Sequence, residues 1–316
     1  MILEKSFPAM GTINSITLFD NQVPGAAGDA REYLLRLNRT WTCFQENSLI
    51  SQINRSAGQA AVAADEDTMA ILQRSKAFSE ATRGAFDVTA GPLAALWKTA
   101  LQRGDVPSDR DIWQAMELTD WRDIHLEESA GTVMLGQAGQ RIDLGGVAKG
   151  YAADGLRQRL RHKGVRRALL NLGGTVAAMG CTQRIGIQDP FRPTGVPMGT
   201  LTLADRCAVT SGVYQRYSMI DGRRFHHIID PRTGFPAKSG LVSVTLIGED
   251  AARLDALATA AIILGLEESA ALLADQGIEA VYVTEKGQVL ITKGLKGDFQ
   301  LLDQKNHRID APVSVA

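Results

Sequence analysis

The sequence predicts an α+β fold with mixed and antiparallel sheets flanked by helices, and three observations carry that expectation. Alternating β-branched segments and amphipathic helical segments both occur, so neither an all-α nor an all-β chain fits. They do not follow each other as regular strand–helix–strand units, which excludes a doubly wound sheet. No fixed-period repeat or low-complexity tract interrupts them. The 316 residues suffice for one large domain or two modest ones. Near residue 130 a helical texture gives way to a strand-rich one. The expectation is therefore a single domain, 1–316, built of two closely packed subdomains at about 1–130 and 131–316.

In chain order, Ile13–Phe19 alternates and is β-branched, which predicts a first strand. Tyr33, Leu34, Leu37 and Trp41 share one face of a helix from about Ala26 to Trp41. A second helix covers Asp65–Thr82, and Gly84 stops it. The Gly/Pro-punctuated stretch 84-GAFDVTAGPLAALW-97 leads to a helix at Ala94–Arg103, and a polar loop at 105–111 leads to another short one. Strands follow at Thr132–Leu135, Arg141–Asp143, Arg167–Leu172, Thr175–Met179 and Arg184–Gln188, with one helix, Val147–His162, among them. Further strands fall near Gly199–Leu203, Cys207–Thr210, Arg224–Ile229 and Leu241–Ile247. Helices at Asp250–Leu264 and Glu267–Gln276 precede a closing hairpin, Ala280–Thr284/Val289–Thr292.

Lys+Arg 34 against Asp+Glu 35 leaves a net charge of -1, which argues against a nucleic-acid partner or a polybasic membrane patch. Nothing approaches 18 continuous apolar residues, so no membrane span is expected. The cysteines, Cys43, Cys181 and Cys207, form no CxxC pair and no disulfide framework. The first residues show no signal-peptide pattern and no early Cys that could take a lipid. A cytoplasmic location is the expectation, and a chain trimmed of an export signal would read the same.

Four stretches could carry chemistry. In 143-DLGGVAKGYAADGL-156 an acid ends a strand, two glycines turn, and a helix starts, so bare amides and the positive helix end face the turn. That suits phosphate as well as it suits a plain strand-to-helix turn; the spacing is neither GxGxxG nor a Walker loop. The second glycine turn, 171-NLGGTVAAMG-180, reads as a hairpin with close backbone approach. Asp255 and Thr259 sit at i and i+4 on one helix face, where they could hold Mg²⁺ or form a polar notch. In 226-HHIIDPRTGFP-236 the two histidines point to opposite faces of a strand end, and Asp230-Pro231 and Thr233-Gly234 are turn formers.

These stretches, in their order, resemble the ApbE family of FAD:protein FMN transferases. The likeness runs through 10-MGT-12, 48-SLISQIN-54, 84-GAFDVTAGPL-93, 143-DLGGVAKGYAAD-154, 171-NLGG-174, 210-TSGVYQRY-217, 221-DGRRFHHIIDPRTGFP-236 and 255-DALATA-260. It implies a T-fold-related architecture and Mg²⁺-dependent transfer of FMN from FAD to a Ser or Thr hydroxyl of a partner flavoprotein, with AMP released. Asp255, Thr259 and the carbonyl of Ala148 fall at the metal-ligand positions. Met10, Phe44, Ala85, Phe86, Asp87, Asp143 and Lys149 fall where the family contacts FAD, and Thr233 and Gly234 shape a turn beside the flavin. His227 falls at the position of the base, with His226 as scaffold. Two departures stand out: Phe44 is often Tyr in the family, and Thr175 replaces a common acid. Competing readings are Mg²⁺-dependent hydrolysis of FAD to FMN and AMP, and a non-enzymatic FAD-binding or delivery protein.

Overall fold

A computed structural model of the chain describes residues 2–19 and 23–309. The contacts gather into two units, each discontinuous in sequence. One comprises residues up to Arg36, Lys149–Tyr214 and those from Ser239 on; the other comprises Leu37–Ala148 and Gln215–Lys238. The change of texture near residue 130 falls inside the second unit. Among the described residues the α-helices are α1 (Ala26–Trp41), α2 (Leu49–Arg55), α3 (Glu66–Ala81), α4 (Gly91–Gln102), α5 (Asp109–Glu117), α6 (Ala148–His162) and α7 (Ala251–Ala274).

The first unit is organised by a nine-stranded sheet, in the order Leu3–Ala9, Thr12–Leu18, Ala168–Leu172, Thr175–Met179, Cys207–Gly212, Leu241–Gly248, Glu279–Thr284, Gln288–Ile291 and Arg308–Ile309. All neighbours are antiparallel except the last pair, which is parallel. Leu241–Gly248 is buried at every position but the last, as its unbroken apolar and hydroxyl run requires. The first strand, Leu3–Ala9, was not expected: only two of its seven residues are buried, so its pairing with Thr12–Leu18 carries it. The joining residues Met10 and Gly11 both have positive φ, 53° and 75°, the two-residue turn that suits a hairpin. A smaller sheet of Phe299–Leu301, Pro197–Ala204 and Thr182–Gln188 completes the unit.

α7 packs on strands Cys207–Gly212 and Leu241–Gly248. Where two helices were expected there is one element, broken at Gly265 by φ 81° and ψ -178°, a backbone that only glycine adopts without strain. Its mean hydropathy of 1.7 would suit a membrane span by length and composition, yet 61% of that window is buried inside the protein. It is a core helix rich in alanine, and its small side chains let α6 approach. Gly150 of α6 lies so close that a Cβ there would meet the Ala251 carbonyl at 2.2 Å. Asp154, one turn on, accepts from the amides of Ala251 and Ala252 at 3.1 and 3.0 Å. It thereby satisfies two of the four orphan donors that open α7, and Asp250 takes a third, from Arg253 at 2.9 Å. Arg157 is buried beside this cap and donates to Glu249 O at 2.7 Å. Burial pushes the neighbouring Cys207 thiol up to about 12, so it behaves as an inert apolar group.

The second unit holds α2 to α5, a small sheet of Val62–Ala63, Thr132–Leu135 and Ile124–Glu127, and a separate hairpin, Tyr217–Ile220/Arg223–His226. Ser48, Asp65 and Ser108 cap α2, α3 and α5 by accepting from the third amide on. The strand expected at Arg141–Asp143 shrinks to a single parallel bridge, Ala90↔Arg141. Asn54 of α2 replaces the rest of that ladder, accepting from Ile142 N at 2.7 Å and donating to Ile142 O at 3.0 Å. α4 begins three residues earlier than expected, at Gly91, where a Cβ would strike Arg141 O at 2.5 Å. Its core is Leu93, Trp97, Ile112, Ala115 and Ile229, with the Trp97 indole donating to Gly234 O at 2.7 Å.

The Asp154 cap sets a first expectation. Asp154→Ala leaves two amides of α7 uncapped and removes a carboxylate beside Arg157, for a cost of about 1–3 kcal/mol. Calorimetry should show a melting point lower by roughly 2–10 °C, with Asp154→Asn in between; equal melting of all three proteins would mean the cap contributes nothing.

Candidate functional site

In the first unit, the α6–α7 contact builds a cation-oriented carboxylate. Asp255, one turn into α7, is 3% exposed. Its Oδ2 accepts from Gly150 N at 2.9 Å and lies 3.6 Å from Lys149 Nζ. No hydrogen bond falls on Oδ1 among the described residues, although an ionised carboxylate can accept at about four lone-pair positions. Thr259 follows on the same face; its Oγ1 lies 3.3 Å from Ser211 Oγ and 3.4 Å from the Asp255 carbonyl. Ala148 precedes Lys149 directly and opens α6. Within this unit, one carboxylate oxygen without a hydrogen bond and a hydroxyl on the same helix face are hard oxygen donors, the kind Mg²⁺ takes, and this pair fits it. Among the described residues no cluster of three or more His, Cys, Asp and Glu offers a softer or more highly charged alternative.

Met10, in the same unit, occupies the left-handed region at φ 53°, an uncommon place for an unbranched side chain and a mark of local strain. The 10-MGT-12 and 171-NLGG-174 stretches meet: a Cβ on Gly173, whose φ is 62°, would strike Thr12 Oγ1 at 2.3 Å. The second glycine turn is thus the close backbone approach its sequence suggests. Thr175, which follows it, is fully buried, and its hydroxyl has no hydrogen-bond partner.

In the second unit, Asp143 closes its own turn, with Oδ1 accepting from Gly145 N at 2.8 Å. The Ala85 and Phe86 side chains are core, 0% and 4% exposed. Asp87 accepts from Thr89 N and Oγ1 at 2.8 and 2.7 Å and from Trp121 N at 3.2 Å. Burial nevertheless holds its carboxyl above the usual range. Phe44 behaves oppositely: its ring is 77% exposed, with Lys98 Nζ 4.4 Å from the centroid. Thr233 is exposed, while Gly234 is buried at φ 76°, where a Cβ would collide with Ile112 and Met116.

The stretch 226–236 is a closed turn. Asp230 N donates to Phe235 O at 2.8 Å, the Asp230 carbonyl accepts from Thr233 N and Gly234 N, and Asp230 holds Arg232 through two bonds of 2.9 Å. The expected strand ends at His226 rather than Ile229, and Ile229 instead bridges Pro236. The two histidines separate as expected. His226 is buried, with Nε2 at 2.9 Å from Ala237 O and Nδ1 accepting from Ile228 N at 3.3 Å. Burial lowers its pKa to about 4, so it is neutral with the proton on Nε2. His227 is exposed, and its Nδ1 lies 3.3 Å from Arg216 O. A carbonyl only accepts, so Nδ1 carries the proton and the lone pair of the neutral ring sits on Nε2.

Two positions in the family-like motifs, Asn54 and Asp154, and Trp97 just beyond the 84–93 motif had no role read from sequence. The first two reach backbone 88 and 97 residues away, and a helix-borne Asn or Asp on a buried side is the only sequence signal for either.

A family model described as the ApbE family matches residues 10–282. The chain is 37% identical over 280 residues to an FAD:protein FMN transferase of Klebsiella pneumoniae (strain 342), covering 88% of this chain and 86% of that protein. It is 35% identical over 294 residues to an FAD:protein FMN transferase of Treponema pallidum (strain Nichols), covering 87% and 80%. Among solved structures it resembles the ApbE protein of Thermotoga maritima MSB8, with a TM-score of 0.86 at 31% identity over 94% of this chain and 98% of that one. The apo flavinyl transferase ApbE of Pseudomonas stutzeri gives a TM-score of 0.82 at 28% identity, over 94% and 97%. Fold and motifs together define an α+β protein of flavin-transferase architecture. The chain belongs to the ApbE family.

The buried His226 gives a pH dependence with a definite sign. Its folded pKa, about 4, lies below the ordinary 6.5, so the unfolded chain binds the extra proton between those values. Its contribution is complete above pH 6.5 and is lost as pH falls toward 4, by up to about 3 kcal/mol. Urea titrations should therefore show the stability gap between wild type and His226→Gln narrowing from pH 7 to pH 4.5. A gap independent of pH would contradict the buried neutral state.

Proposed function

We propose that this protein transfers FMN from FAD to a Ser or Thr hydroxyl of an acceptor flavoprotein and releases AMP, with Mg²⁺ as the cation. The observation that carries this reading is the likeness to FAD:protein FMN transferases over most of the chain, with the motif residues in place. In the step, the acceptor oxygen bonds to the FMN phosphorus and the bond to the AMP phosphate breaks. AMP leaves with the electron pair, and the hydroxyl proton passes to a base. His227 is that base in this reading, and the 3.3 Å approach of its Nδ1 to Arg216 O supports Nε2 as the atom that takes the proton.

Asp255, Thr259 and the Ala148 carbonyl would hold Mg²⁺. Bound there, the cation supplies Lewis-acid neutralisation of pyrophosphate charge. Lys149 adds a fixed positive charge beside Asp255, and Gly150 N orients that carboxylate. Met10, Phe44, Asp143 and the backbone of Ala85, Phe86 and Asp87 contact FAD in this reading. The exposed Phe44 ring offers a stacking face, and Thr233 and Gly234 shape the turn next to the flavin.

His227→Ala should lower the transfer rate by about 10²–10⁴-fold, the usual contribution of a general base. FAD affinity, followed by flavin fluorescence, should stay within about twofold because the side chain is exposed and removed from the buried core. In-gel fluorescence of the acceptor at the wild-type level would remove His227 from this role.

A further inference from the structure

The net charge of -1 conceals an uneven distribution. Residues 155–188 contain seven Lys and Arg and neither Asp nor Glu, so the rest of the chain is acidic. Arg159, Arg161 and His162 lie in the last turn of α6, and Lys163 follows. Basic residues there complement the negative end of the helix dipole, and Asp205 takes Arg161 at 3.2 Å. The side chains of Arg159, His162 and Lys163 do something further: they line a cavity of about 220 Å³ beside the first turn of α1, within the first unit. Ala26, Ala30 and Leu160 form its apolar wall, and Asp29, paired with Lys163, is its one acid. Arg159 is held over the buried Tyr33 ring, 4.2 Å from the centroid, with the Arg36 guanidinium 5.4 Å from the same ring. A ring contact engages the face of a guanidinium and leaves the N–H donors on its edge. Among the described residues no hydrogen bond falls on the side chain of Arg159 or His162.

We infer that this cavity is a second ligand site, one that binds the phosphate of a small phosphomonoester. The donor set selects that group. A phosphomonoester offers three strong acceptor oxygens, which match the guanidinium fork of Arg159, the ammonium of Lys163 and an imidazole N–H of His162. A carboxylate, with two oxygens and one charge, would leave part of that set unmatched. The volume lies below the roughly 300–1,000 Å³ of pockets for drug-sized ligands, so the organic part is small, and the apolar wall receives it. Asp29 opposes an anion and shares Lys163 with it, which tempers the affinity. The site is separate from the one that holds Asp255. Arg159 stands ten residues beyond Lys149 on α6, about 15 Å at 1.5 Å per residue. The inference therefore does not depend on the transferase reading. A free phosphate ester and the headgroup of phosphatidic acid present the same chemistry, and the test separates them.

The full chain, with and without saturating FAD and free of Mg²⁺, is titrated calorimetrically with glycerol 3-phosphate, inorganic phosphate and acetate. In parallel it is sedimented with phosphatidylcholine vesicles that contain or lack phosphatidic acid. Wild type is compared with Arg159→Gln and Asp29→Asn, and melting temperature and FAD affinity are measured for all three. The expected result is one phosphate site per chain that persists under FAD and gives no heat with acetate. Arg159→Gln should weaken it at least about fivefold, with FAD affinity unchanged. Asp29→Asn should tighten it roughly threefold, because the only acid at the cavity is gone and Lys163 is released. Heat with the free esters assigns a soluble ligand. Sedimentation only with phosphatidic acid, lost in Arg159→Gln, assigns the lipid headgroup. Neither signal in wild type overturns the inference, as does phosphate binding that FAD abolishes, since that places the phosphate in the first site. An affinity unchanged in a folded Arg159→Gln also overturns it. Where Arg159→Gln melts early for want of its Tyr33 contact, Asp29→Asn decides, and binding no tighter than wild type counts against the site.

Discussion

The arrangement of the candidate cation site depends on the grip of α6 on the start of α7. Asp154 caps the amides of Ala251 and Ala252, and Gly150 removes the one atom that would keep the helices apart. Because that contact fixes the two helices against each other, the Gly150 amide arrives at Asp255 and the Lys149 ammonium stands beside it. A carboxylate as buried as Asp255 needs hydrogen-bonding partners, and the Gly150 amide supplies one. The same glycine thus serves packing and electrostatics: its missing side chain allows the approach, and its amide stabilises the charge.

The stretch HHIIDPRTGFP resolves in a similar way. Most of it is architecture: a self-closed turn around Asp230, a glycine wedged against Ile112 and Met116, and a carbonyl that satisfies the Trp97 indole. His226 is part of that architecture, since both of its nitrogens are engaged within the turn and burial keeps it neutral. Against so fixed a frame, the exposed imidazole of His227 has its tautomer set by one carbonyl. For the base role proposed for His227 such a frame matters, because an untethered ring would divide its lone pair between two nitrogens.

Much of this was legible in the sequence, where the signal was local. α1 matches the expected Ala26–Trp41, and α3 lies within one residue of expectation, because apolar periodicity and caps lie within each segment. The strand at Leu241–Gly248 was legible because two-sided burial leaves a run of apolar residues interrupted only by the hydroxyls of Ser243 and Thr245. The failures were non-local. Leu3–Ala9 is mostly exposed and becomes a strand through its neighbour, and Asn54 suppresses a strand that alternation alone favoured. The β-propensity at Ile228–Ile229 gave way to the turn that Asp230 closes. At the site, motif likeness named Asp255, Thr259 and His227; alternation suggested opposite faces for His226 and His227, but the strand ends at His226, and it is the turn that follows that leaves one histidine buried and the other exposed. The roles of Asp154 and Asn54 were invisible, since each acts on backbone far away in the chain.

The central claim is that this chain joins FMN to a protein hydroxyl rather than to water. The most direct measurement is the stoichiometry of products after incubation with FAD, Mg²⁺ and a candidate acceptor flavoprotein. AMP is quantified by chromatography, and FMN covalently attached to the acceptor is quantified by intact mass. The account predicts one attached FMN for each AMP released, with both lost when Mg²⁺ is chelated. AMP appearing with free FMN and an unmodified acceptor would contradict it, as would FAD recovered unchanged in the presence of Mg²⁺ and every flavoprotein tested.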